Sequence, residues 1–345
     1  EATTGQGLTL GSFSVTAGGA SLTAGNHLTL TSGTASGQAS VNATGRASVG
    51  TLVSGTGRAS VVAGQGIALT NLTARGDATL RTTGGTLVAG TVNSSAGIAS
   101  VTNTAGTVQL TTVNAVNGIT ASAQGDLSLG TAVSTGGAVN ATATGGGLRY
   151  TSIVGRGVSL TSTGLLAATT PSTGVQGGAI TSTAVDPVDA ILVNAAMGQV
   201  VLGALTATSG KVLLDTQSGL LNVGSVTAQA MALTSASSVS TGALVSTTGD
   251  MQLTARNGGI TYSSATAGGR VSMSALRPNG STASTAISGG AITASGTTAL
   301  AGAPYTIDLS TELGPITTGA ITAAAGNARV STTSGAFTGT TVTTR

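Results

Sequence analysis

Most of what usually fills a protein core or an active site is scarce in this sequence. Its 345 residues include no Trp, two Phe and three Tyr, and charged residues make up 6% of the chain, against about a quarter in ordinary globular domains. A compact core of bulky side chains is therefore not expected. The absence of cysteine excludes disulfides and thiolate metal sites. His27 is the only histidine, so a metal centre would have to rest on carboxylates and carbonyls, and the acids are scattered. No cofactor and no metal are expected. The longest apolar stretches, such as Ala190 to Met197, fall well short of a membrane helix, and there are no aromatic girdles for a membrane barrel. No membrane insertion is expected. The 12 basic and 9 acidic residues lie thinly along the chain and form no basic patch, which argues against nucleic acid as a partner.

What is present is glycine, at 55 positions, with Ala, Ser, Thr and Val filling most of the rest. Disordered chains are poor in apolar residues, whereas here 40% are apolar and regularly spaced. In GTVQLTTV, Gly106 to Val113, apolar residues occupy an apolar-x-apolar-x-x-apolar pattern. The middle member recurs as Leu10, Leu30, Val49, Leu69, Ala89, Leu110, Leu129 and Tyr150, a spacing of about twenty residues that marks a structural repeat. A second series, Leu22, Val41, Val61, Leu80 and Val101, lies half a repeat away. Each repeat thus carries two short strands with the period of two that puts alternate side chains on one face. The third apolar position, such as Leu72 or Val113, is expected to open a third strand.

Short strands cannot bury an apolar face alone. If each unit coils once and stacks on the last, the inward residues form columns and the chain becomes a β-solenoid. The spacing predicts an all-β parallel β-helix of about 16 rungs of roughly 20 residues, on the order of 75 Å long at the spacing of parallel strands. It is read as a single repeat domain over 1–345. Prolines and clustered charge predict insertions at 168–190, 276–290 and 303–315. The absence of a polar cap at either end suggests a segment of a longer fibre.

Repeats such as GIALTNLTARGDATLRTTGGTLVAGTVNSSAG, Gly66 to Gly97, resemble the haemagglutinin-type repeats of secreted bacterial exoproteins related to filamentous haemagglutinin, a two-partner secretion family. The resemblance covers nearly the whole chain and carries no functional residue with it. It implies a right-handed parallel β-helix, export through an outer-membrane transporter barrel, and an adhesin or fibre at the bacterial cell surface.

Chemistry is sparse. The best candidates for the clustered carboxylates of a polysaccharide-cleaving β-helix are Asp186 and Asp189 with Asp215, and the group Arg75, Asp77 and Arg81. The plainer readings are a solvated loop and an exposed turn ion pair, so no catalytic residue is assigned and the chain is read as a non-enzyme. The file Ser21, Ser40, Ser60, Thr79 and Ser100 forms a hydroxyl ladder, but its outward neighbours Thr23, Asn42, Val62, Arg81 and Thr102 do not make the paired threonine array an ice face needs. A glycan strip, with Arg149 and Arg156 meeting sugar oxygens, is the functional alternative to a plain solvent-facing surface. Recognition is expected on the insertions, at Asp186, Asp189, Tyr305, Asp308 and Glu312, standing out from the rod. The expected partner is a glycan or protein on a host or neighbouring cell, with end-to-end self-association into a filament as the second reading and polysaccharide binding or cleavage as the third.

Overall fold

A computed structural model describes residues 1–167, 172–184, 189–276, 286–296 and 305–345. The regular elements among them are all strands, and they pair in parallel to stack as a β-solenoid of about 16 turns of roughly 20 residues. Two compact units, Glu1–Thr169 and Thr170–Arg345, are taken in turn.

In the first unit each turn contains one short and one long strand, for example Ala99–Asn103 and Val108–Ala115. The short strand alternates simply: Ala99, Val101 and Asn103 point inward and are buried. The long strand buries Val108, Leu110, Val113 and Ala115, while Thr111 and Thr112 both face outward. Two consecutive outward residues turn the strand through a corner, so each turn has three faces. The expected third strand is here the continuation of the second around that corner. In the second unit the corner divides it, beginning with Val239–Thr241 and Ala243–Ser246.

The register follows the repeat in the sequence. Leu87 pairs with Ile67 below and Val108 above, and Ala89 and Val92 continue the same columns between Leu69 and Leu110 and between Leu72 and Val113. These side chains are buried, and Val, Leu, Ile and Ala fill most of the narrow interior, joined by Tyr150 and Tyr262. The buried polar residues sit where the inward columns meet the turns. Ser94 Oγ donates to the Gly76 carbonyl at 2.7 Å and accepts from the Gly97 amide at 3.1 Å. Ser54 does the same with Gly37 and Gly57. Inward-facing turn backbone that water cannot reach is thereby satisfied.

A longer period is superimposed on the single turn. The ladder skips the corner residue, which reads Thr31, Gly50, Thr70, Gly90, Thr111, Gly130 in successive turns. A Cβ at Gly90 would lie 2.5 Å from the Thr70 carbonyl oxygen. The buried column at the end of the long strand alternates in step: Ala35, Ser54, Ala74, Ser94, Ala115, Ser134. From Leu28–Ala35 to Leu127–Ser134 the stack therefore repeats every two turns, one turn carrying Thr and Ala at these places and the next Gly and Ser.

In the second unit parts of all three expected insertions are strands of the stack. Thr173–Ser182 is a strand in register with Gln199–Ala207, and Asp189–Ala195 is another paired with Lys211–Thr216, so much of 168–190 belongs to the stack. Tyr305–Leu313, expected as a protruding loop, is a strand of the stack, paired with Val271–Ala275 on one side and Asn327–Ser334 on the other. Its alternation explains the difference: Ile307 and Leu309 fill the interior, and Asp308 takes an outward, partly exposed position. Ile287–Gly289 likewise pairs with Ile260–Tyr262.

Candidate binding groove

The residues singled out for recognition do not converge. Asp186 lies outside the described residues. Asp189 opens the strand Asp189–Ala195, its backbone opposite Lys211. Asp308 is held by Arg329, whose guanidinium donates from Nε at 2.9 Å and from the terminal nitrogen at 2.6 Å. That hydrogen bond, and then the carboxylate charge, holds Arg329 above its ordinary range. Arg329 also stacks 4.7 Å from the centre of the Tyr305 ring. The trio forms an outward clasp between neighbouring strands, and Glu312 lies exposed further along. Asp215 lies beside Asn194 in the register, each with its Oδ1 buried and unpartnered. Among the described residues no three His, Cys, Asp or Glu side chains converge as metal ligands would.

The remaining acids have a structural task. Asp77 is not paired with Arg75 or Arg81; its Oδ1 accepts the Ile98 amide at 3.0 Å. Asp250 accepts the Arg270 amide at 2.8 Å, Asp126 the Gly147 amide at 3.0 Å, and His27 Nδ1 the Arg46 amide at 3.0 Å. All four stand immediately before a strand and reach the equivalent residue one turn on. They staple turn to turn.

Asp126 does more. Its second oxygen accepts the Ala167 amide at 3.0 Å, pinning the segment after Val158–Ser162 back over the outer surface. Leu166 lies there against Gly147, where a Cβ would collide with it, and is 8% exposed. This segment is one wall of a hollow of about 390 Å³ floored by Gln109, Ser128 and Arg149 and edged by Thr107 and Asp126. A second hollow of about 540 Å³, lined by Arg46, Ser48, Gln65, Ala68 and Thr86, meets the first at Val88. Ser48, Ala68, Val88, Gln109, Ser128 and Arg149 are one outward file in unbroken register. The two hollows therefore form one groove running along the stacking direction over six turns. Arg46 and Arg149 mark its ends, and neither guanidinium has a hydrogen-bond or ion-pair partner among the described residues.

Of these residues only Arg149 stands out in the sequence as a candidate; Arg156 stands at a different corner, after the strand Leu148–Gly155. The rest were legible only as members of an outward file, because the hollow depends on the fold-back at Leu166. The hydroxyl ladder of Ser21, Ser40, Ser60, Thr79 and Ser100 is in register and half-buried. On the third face of the second unit Thr206, Thr227, Thr266, Thr293 and Thr322 form a file broken by Val245. Outward β-branched hydroxyls suit a pleated, solvated surface.

Fold and groove together define a β-solenoid repeat protein with a surface groove on its first unit. No family model, curated protein or solved structure matches the chain.

Proposed function

We propose that the chain is a non-enzymatic segment of a secreted bacterial surface adhesin or stalk, whose stacked turns act as a rigid extracellular scaffold. The observation that carries this reading is the stack itself. The buried apolar residues form continuous columns, and the acids and the histidine with identified partners serve as staples and clasps between turns. A scaffold needs rigidity along its length, which a ladder of parallel hydrogen bonds and registered columns provides. The composition and repeats that resemble haemagglutinin-type exoproteins support a place at the cell surface, export through an outer-membrane transporter barrel, and a glycan or protein on another cell as partner.

Electron microscopy of the purified chain, with a turnover assay on a polysaccharide panel, tests this. Isolated particles and no turnover are expected. Long ordered polymers would favour a self-associating filament instead, and turnover of any polysaccharide would overturn the non-enzymatic reading.

A further inference from the structure

We propose that the groove from Arg46 to Arg149 binds a linear acidic polysaccharide, a chain of uronic acid residues, with the two guanidinium groups holding carboxylates at its ends. This goes beyond the scaffold reading and rests on it only for the place where such a polymer is met.

The shape argues for an extended polymer. The groove follows one outward file across six turns, from Ser48 through Ala68, Val88, Gln109 and Ser128 to Arg149 in direct register. At the spacing of parallel strands this is about 24 Å. It is shallow and open, where a small-molecule site would be enclosed.

The lining argues for sugar. Gln65, Gln109, Thr86, Thr107, Ser48 and Ser128 offer amide and hydroxyl groups that match ring hydroxyls and glycosidic oxygens. No aromatic ring lines either hollow, so the stacking platform that single-stranded nucleic acid uses is missing. The groove also lies on a sheet face whose backbone groups are already paired within the stack, which removes the strand addition by which extended peptides are commonly captured.

The charge argues for an acid. Both oxygens of Asp126 are engaged by backbone amides. That leaves Arg46 and Arg149, both exposed and unpartnered among the described residues, as the charged groups facing outward. A guanidinium fork pairs bidentately with a carboxylate. Two forks separated by five turns demand a ligand that carries carboxylates repeatedly along its length.

The test is a titration of the intact chain with polygalacturonate, oligogalacturonates of increasing length, neutral dextran and dextran sulfate, for the wild type and for Arg149→Gln, Arg46→Gln and a control, Arg75→Gln. Each groove variant should bind polygalacturonate at least about tenfold more weakly, the loss expected for one bidentate ion pair. Affinity should rise with oligomer length until both arginines are reached, and Arg75→Gln should bind as the wild type. Circular dichroism should show all variants folded, since these side chains are exposed and lie outside the buried columns. Absence of binding, equal binding of neutral dextran, or wild-type affinity in both groove variants would overturn the site. So would equal affinity for dextran sulfate with an equal loss in Arg75→Gln, which would mean bulk charge. None of these outcomes bears on whether the chain forms isolated particles without turnover, so groove and scaffold can fail separately.

Discussion

At the scale of single residues, the chain's few polar side chains with a defined place are ones that satisfy backbone. Ser94 is 1% exposed and serves the Gly76 carbonyl and the Gly97 amide at once. Ser94→Ala should leave both unpaired in the interior, a cost of about 1–3 kcal/mol. Chemical denaturation should register it, while exposed Ser95→Ala should fall within about 0.5 kcal/mol of the parent; equal effects would remove the distinction drawn between inward and outward serines. Tyr150 and Tyr262 are buried in the columns, and desolvation pushes both phenols above their ordinary range. Their folded-state values exceed the unfolded value near about 10. Their contribution is therefore fully present below that pH and is lost as pH rises through and beyond it, because the unfolded chain then releases protons that the folded chain keeps. Melting temperature should hold steady up to about pH 9 and then fall. The Tyr150→Phe, Tyr262→Phe double variant should flatten that alkaline decline; an unchanged decline would assign it to other groups.

At the scale of the strand and its turn, the repeat was legible because apolar spacing in a parallel stack is a direct copy of register. Val108, Leu110 and Val113 lie over Leu87, Ala89 and Val92 as their positions predict. What escaped was information that resides in the backbone. The alternation of Thr111 with Gly90 has no apolar signature, and its meaning, a carbonyl from the turn below aimed at the glycine, emerges only once the turns are stacked. Gly90→Ala should force a shift of main chain or an overpacked corner and cost about 1–3 kcal/mol, whereas Thr111→Ala, at the exposed position of the alternate turn, should be close to neutral. Thermal melts of the pair would decide it, and a neutral Gly90→Ala would make the two-turn period an accident of sequence. The staples were in principle readable, since Asp77, Asp126 and Asp250 each follow a glycine and precede the first buried residue of a strand. Charge at Asp308 and Glu312 misled for the opposite reason. An outward position of a strand tolerates charge as readily as a loop does, and only Ile307 and Leu309 between them distinguished the two. The groove was the least legible feature, because Arg46 and Arg149 stand 103 positions apart and are joined by the stacking rather than by any local motif.

At the scale of the whole molecule, a stack in which each turn contacts chiefly its neighbours should lose order locally rather than all at once. Leu110, 4% exposed in the column between Ala89 and Leu129, is the place to ask. Leu110→Asp puts an unpaired charge where neither neighbour can compensate it, at a cost of about 3–5 kcal/mol. In a globular core that penalty would be spread over the entire fold. Here hydrogen exchange should lose protection first in the strands directly above and below, Leu87–Ser94 and Leu127–Ser134, while Leu28–Ala35 in the same unit stays protected. A variant that melted like the parent would place Leu110 outside the column and contradict the register. Uniform loss across the first unit would mean that its turns fold as one cooperative block, and that the staples between turns couple more strongly than a nearest-neighbour stack requires.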